Sequence, residues 1–241
     1  AKQKAEAREA GLVLTAMAAA ALLIGADAVR TYADFSQAIA LVGSVAQASD
    51  EQLVSLSDAA LQVGADTTLS ASQAAGALYE LASAGLSVEE SIDALKGTTD
   101  LAIATQSGLG DATLLVTSAM AQFGLEAGEA TRIADVFVNS IATSPANVEK
   151  LLNALRQVGP VAGSLGVSLE VTTAALSALF EAGLRGEAAG TALRNVLLGL
   201  VAPTDANAQL LKSYGLSLDE VNPKTVDLAT IMGRLAEANI S

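Results

Sequence analysis

AGLSVEESIDAL, residues 84–95, decides the fold. It ends one helix and starts another within four residues. Gly85 is a helix stop, because glycine tolerates the left-handed conformation that closes a helix. Leu86 is an apolar plug that can pack back on the helix just ended. Ser87 and Glu90 stand at capping-box spacing, where hydroxyl and carboxylate each satisfy an otherwise unpaired backbone N–H. Glu89 and Glu90 place negative charge in the first helical turn, at the positive end of the helix dipole. Ile92 and Leu95 begin the next apolar stripe.

Related junctions stand at Gly124-Leu125-Glu126, Gly166-Val167-Ser168 and Gly215-Leu216-Ser217, at separations of 39, 42 and 49 residues. That spacing is too loose for a strict solenoid. Further capping boxes are Ser70 with Gln73 and Ser217 with Glu220. Ser144-Pro145 reads as another start, since proline at the first helical position loses no needed N–H. Residues 49–65 read as a helix with Leu53, Leu56, Ala60, Leu61 and Val63 on one side and a stop at Gly64. Strict apolar–polar alternation is absent and β-branched runs are short. The expectation is an all-α chain of roughly ten helices with no strand.

The residue inventory excludes more than it offers. The chain has 241 residues and lacks both His and Cys. The commonest general base, the thiolate nucleophile and the usual zinc ligands are therefore missing. Aromatics are 3%, with no Trp, so stacking platforms for nucleic-acid bases are not expected. The net charge of −13 comes with no basic patch, which argues against tight binding to a phosphate backbone. Apolar residues reach 51%, many of them Ala, which suits close-packed helices.

Residues 10–26, AGLVLTAMAAAALLIGA, carry no charge. As a helix they span roughly 25 Å, slightly short of a bilayer core of about 30 Å. Three readings stay open: a buried helix or helix seam, a marginal membrane segment, and a signal sequence. The expected organisation is an Ala-rich helical lead over 1–47, holding this long apolar helix, and a compact array of short helices joined by Gly/Ser turns over 48–241. Beginning at Ala1 and ending at Ser241 with no recognisable start or tail, the sequence is expected to be a piece of something longer.

No chemistry stands out. The acidic pairs Asp50/Glu51, Glu89/Glu90 and Asp219/Glu220 fall in first helical turns and read as dipole partners. Gly108-Leu109-Gly110 lacks the third glycine and preceding strand of a dinucleotide loop, and Lys96-Gly97-Thr98 has phosphate-loop letters in the wrong order. Tyr32, Tyr79 and Tyr214 are expected in packing. No catalytic residue, cofactor or metal ligand is assigned, and the chain is not read as an enzyme.

One stretch goes beyond generic helix. Residues 158–200 contain Val158-Gly159-Pro160 through Glu170, then Ala182-Gly183-Leu184-Arg185-Gly186 through Ala189-Gly190-Thr191-Ala192-Leu193-Arg194. This resembles the core of phage tail tape-measure proteins. That family shows a V-G-P-x-A-x-x-L-G-[IV]-S-x-E run followed by an A-G-[IL]-x-G-x-x-A-G-T-A-L-R run. ADFSQAIALVGSVAQAS (33–49), the 64–90 stretch and FGLEAGEATRIADVF (123–137) resemble earlier parts of the same family, in the same order. Pro203-Thr204 takes the usual position after the second run. The resemblance covers about residues 33–235. One departure is Ser36, where an acidic residue more often follows the aromatic.

The resemblance implies a long, helical protein that occupies the tail-tube lumen, templates tail length and leaves ahead of the genome. It implies partners among tail-tube and tail-tip proteins, tail assembly chaperones and other copies of the chain, with the host membrane met during ejection and no small-molecule substrate. The alternative is a membrane-active, pore-forming or toxin-like protein using residues 10–26. A fused wall hydrolase finds no support in these residues.

Gly159, Pro160, Gly166, Gly183, Gly186, Gly190, Thr191 and Arg194 are the candidate structural motif. Gly159-Pro160 is expected to end one helix, because proline lacks the N–H and disfavours helical geometry before it. Gly166 should then end a short helix, Ser168 start the next and Gly183 end it. After a turn through Gly186, Gly190 should meet a close neighbour. Arg185 and Arg194 are expected to pair with acids such as Glu181 or Glu187. The expected core is Leu61, Leu81, Leu95, Leu115, Phe123, Ile133, Phe137, Leu155, Leu176, Leu179, Leu193 and Leu197.

Overall fold

The computed structural model describes residues 31–238 apart from residue 32. Within them every regular element is helical and none is a strand, as the junctions require. The apolar stretch 10–26 and Tyr32 lie outside the described residues. Among the described residues no helix is long and apolar enough to cross a membrane. The chain divides into two compact units, Ala1–Tyr79 and Glu80–Ser241.

The described part of the first unit starts with α1 (33–46), which buries Phe35, Ile39 and Val42. Next is α2 (Asp50–Asp66), started by a full capping box between Ser49 and Gln52. It buries Leu56 and Ala60, but Leu61 is 49% exposed, against expectation. Leu61 is one residue past Ala60 and so turns about 100° away from that face. Gly64 does not stop α2. The helix runs to Asp66 and closes at Thr67, whose hydroxyl and N–H both bond to the Val63 carbonyl. Helix α3 (Ala71–Ser83) begins at the expected Ser70–Gln73 box.

The second unit continues with α4 (Val88–Thr105), α5 (Leu109–Phe123), a 3-10 turn at Ala127–Glu129, α6 (Ala130–Thr143), α7 (Val148–Ser164), α8 (Leu169–Glu181) and α9 (Gly186–Val201). It ends with α10 (Asp205–Ser213), a second 3-10 turn at Asp219–Val221 and α11 (Leu228–Glu237). Each helix from α4 to α7 packs against the next but one: α4 on α6, α5 on α7, α6 on α8, α7 on α9.

The opening stretch folds as its residues dictate. Gly85 has φ +95°, and the Leu86 N–H bonds back to the Leu81 carbonyl. Ser87 and Glu90 make both bonds of the capping box. The backward bond to the carbonyl five residues earlier recurs from Leu125 to Met120, Val167 to Ala162, Leu184 to Leu179 and Leu216 to Leu211. In each case the intervening glycine is left-handed. It is one terminating motif used at every glycine junction.

Three further expected helix boundaries are corrected. Pro160 does not end a helix; α7 passes through it to Ser164. Proline frees the carbonyl four residues back, which is that of Arg156. Pro160 and Arg156 are both exposed, so solvent serves that carbonyl while the opposite face stays packed. Gly166 accordingly closes a 17-residue helix, not a short one. Ser144 does not start α7. Its hydroxyl bonds back to Ser140 and closes α6, and Asn147 caps α7 by accepting from the Lys150 N–H. Ser217 and Glu220 do not form the expected capping box: the Ser217 N–H and hydroxyl both donate to the Glu220 carboxylate, and only a 3-10 turn follows, because Pro223 disfavours helical geometry at Asn222.

Of the expected core, Leu81, Leu95, Leu115, Ile133, Phe137, Leu155, Leu176, Leu193 and Leu197 are buried. Phe123 and Leu179 are half-buried. Tyr79 and Tyr214 are exposed, at 39% and 46%, and are not core residues.

Candidate functional site

Several glycines of the second unit stand where a Cβ would meet a neighbouring helix. α9 buries Ala189, Gly190, Leu193 and Leu197 on one face and lays that face on α7. A Cβ built on Gly190 would fall 2.8 Å from the Ala154 carbonyl carbon, and nearer its oxygen. Real Cβ atoms do not come that close. Gly190 is therefore where two helix backbones touch, the role its position suggests.

The same arrangement recurs. Gly97, inside α4, has no room for a Cβ: it would lie 2.5 Å from the Ala130 carbonyl oxygen and 2.7 Å from the Thr131 nitrogen, at the start of α6. Gly163, near the end of α7, faces the Gln122 peptide of α5, with 3.0 Å from the built Cβ to the carbonyl carbon. So α4–α6, α5–α7 and α7–α9 each meet at a glycine set against a backbone carbonyl. Close approach lets the glycine Cα–H groups face carbonyl oxygens, a weak additional attraction.

The remaining motif residues divide by place. Gly159 lies one turn before Gly163 and faces the Gln122 side chain. Pro160 is on the exposed side of α7. Gly166 and Gly183 are left-handed closing residues, and Gly186, at φ +41°, opens α9 in ordinary contact with Asn153. Thr191 and Arg194 are half-buried on α9. Among the described residues neither Arg185 nor Arg194 forms an ion pair. The Arg194 Nε is buried without a hydrogen-bond partner, and Glu187 accepts from the Gln157 amide at 3.1 Å. The structure thus joins Gly186 and Gly190 to α7, and Gly159 to α5. Gly97, Gly163 and Gln122 belong to the same device but were not singled out by sequence. The spacing of Gly159 and Gly163, four residues apart on a buried face, was the available signal.

The charged groups describe capping. Glu129 is held below the usual carboxylate range, first by the Glu126 backbone N–H and then by Arg132. Glu220 is lowered by the N–H and hydroxyl of Ser217, and Asp227 by the hydroxyl and N–H of Thr230. A general acid near neutral pH needs the opposite shift. Among the described residues no cluster of three or more acidic groups could hold a metal ion.

The family model for "Phage-related minor tail protein" matches residues 57–240. The tape measure protein of Pneumococcus phage Dp-1 is 34% identical over 94% of this chain and 19% of its own length. The probable tape measure protein of Escherichia phage P2 is 32% identical over 82% of this chain and 24% of its own length. The chain thus spans about a fifth to a quarter of these relatives. No solved structure matches it. The motifs of residues 158–200 and the matches over nearly the whole chain point the same way, and the chain belongs to the phage-related minor tail protein family, among the tape-measure proteins.

Proposed function

We propose that this chain is a folded portion of a tape-measure protein that templates the length of a phage, prophage or tailocin tail tube. In this reading it occupies the tube lumen and is ejected ahead of the genome. Its partners are tail-tube and tail-tip proteins, tail assembly chaperones and other copies of itself, with the host membrane met on ejection. The observation that carries it is the 34% identity to a tape measure protein over 94% of the chain. The residues agree: a net charge of −13 without a basic patch suits a protein that must not cling to the DNA that follows it. Gly159, Pro160, Gly166, Gly183, Gly186, Gly190, Thr191 and Arg194 serve architecture in this reading, not catalysis. The division into a lead over 1–47 and a core module over 48–241 belongs to the same proposal.

The test is an in-frame deletion of residues 80–201 from the parent gene, with tails measured by electron microscopy. Shorter tails, or loss of complete tails, are expected; the removed stretch represents up to roughly 180 Å of helical length. Normal numbers of tails of unaltered length would overturn the reading.

A further inference from the structure

The four next-but-one helix pairs do not share one chemistry. Three meet at glycines set against carbonyls. The fourth, α6–α8, has no glycine in either helix, and the bonds across it are polar. The Ser140 and Ser177 hydroxyls lie 2.7 Å apart. Arg132 in α6 pairs with Glu170 in the first turn of α8 and with Glu129 beside it. Between the helices runs a groove of about 320 Å³, lined in part by Asn139, Thr143, Thr173 and Glu181. Thr173 is 2% exposed, and its hydroxyl has no hydrogen-bond partner.

The cost of parting such a pair differs from that of the other three. Separating a glycine crossing forfeits close dispersion contact that water does not restore. Separating α6 from α8 exchanges serine–serine bonding for water. The ion pair is exposed, so its loss costs little. The Thr173 hydroxyl would gain a partner it lacks.

We propose that the α6–α8 seam is the built-in opening of the second unit, parting while the three glycine crossings stay closed. α8 remains on α7 and α9, and α6 on α4, as the groove between them widens. This rests on contacts within the unit and stands or falls separately from the tail reading.

The chain has no cysteine, so one engineered thiol reports on one place. Ser140→Cys sets a thiol under α8; Thr113→Cys sets one at a fully buried position of α5. Under native conditions with a small thiol reagent, the Ser140→Cys thiol should react at least about tenfold faster, as local opening outpaces global unfolding. Arg132→Gln should speed labelling at Ser140→Cys by no more than about fivefold, the reach of an exposed ion pair, and leave Thr113→Cys unchanged. Equal rates at the two sites, or equal acceleration of both, would overturn the proposal. If either cysteine variant fails to fold, hydrogen exchange of the unsubstituted chain decides. Faster exchange in α8 than in α7 is then expected, and equal exchange contradicts it.

Discussion

Gly163 and Gln122 are in backbone contact: a Cβ on the glycine would lie 3.0 Å from the Gln122 carbonyl carbon, and nearer its oxygen. One turn earlier Gly159 faces the side chain of the same Gln122, whose Oε1 is buried without a partner. A backbone cannot retreat, but a side-chain end can. Gly163→Ala should therefore destabilise by about 1–3 kcal/mol through overpacking, and Gly159→Ala by less. Gln122→Ala should remove most of the Gly159→Ala loss and little of the Gly163→Ala loss. Denaturant midpoints of the single and double variants check this coupling. Simple additivity in both pairs would contradict it.

The helix starts make a second prediction. Ser87, Asn147 and Ser168 each accept a hydrogen bond from a backbone N–H three residues on. Replacing any one by Ala should cost about 1 kcal/mol, read from urea unfolding. Unchanged midpoints for all three would mean that packing alone sets these helix ends.

Pro160 offers a gain. It lies within α7 on its exposed side. Pro160→Ala restores one helical hydrogen bond and should raise stability by about 1–3 kcal/mol, against an interior penalty near 3 and some loss of unfolded-state restriction. A lower melting temperature would show that the ring itself is a contact.

The acid limb follows from the capped carboxyls. Glu129, Glu220 and Asp227 are each held below the usual carboxylate range in the folded chain by the hydrogen bonds they accept. Each favours the fold above its unfolded value, and that contribution is lost as pH falls through the lowered folded value. Lys96, raised above 10.5 by its hydrogen bond to Asp100, loses its contribution only in strong alkali. With no His or Cys in the chain, melting temperature should be flat from about pH 9 to 5.5 and fall below about pH 4.5. Asp227→Asn should flatten the acid limb. A transition centred near pH 6.5 would contradict this account.

How much of this was legible in the sequence follows from where each bond lies. The Gly85–Leu86–Ser87–Glu90 junction was readable because its hydrogen bonds run between residues three to five apart. Ser144 misled because a serine hydroxyl can close a helix as well as open one, and Asn147 stood three residues on. Pro160 misled because the effect of a proline depends on whether the freed carbonyl faces solvent, which only packing decides. Gly97 draws notice in the sequence only within Lys96-Gly97-Thr98: a glycine inside a helix carries no mark of close packing, and its meaning lies 33 residues away at Ala130. The sequence marks Gly190 as a place of close approach but does not name Ala154 as its partner. Local chemistry wrote the ends of the helices, and their pairing came from contacts that no window of sequence contains.

The most direct measurement compares two glycines of the same helix. Gly190 meets the Ala154 peptide, while a Cβ on Gly199 would meet nothing within 4 Å. By helix propensity alone, alanine at either position should stabilise by about 0.5–1 kcal/mol. If the glycine crossings hold the helices together, Gly199→Ala raises the melting temperature and Gly190→Ala lowers it, with a loss of about 1–3 kcal/mol. If both variants melt above the unsubstituted chain, the α7–α9 approach is not what fixes the fold, and the account is wrong at its centre.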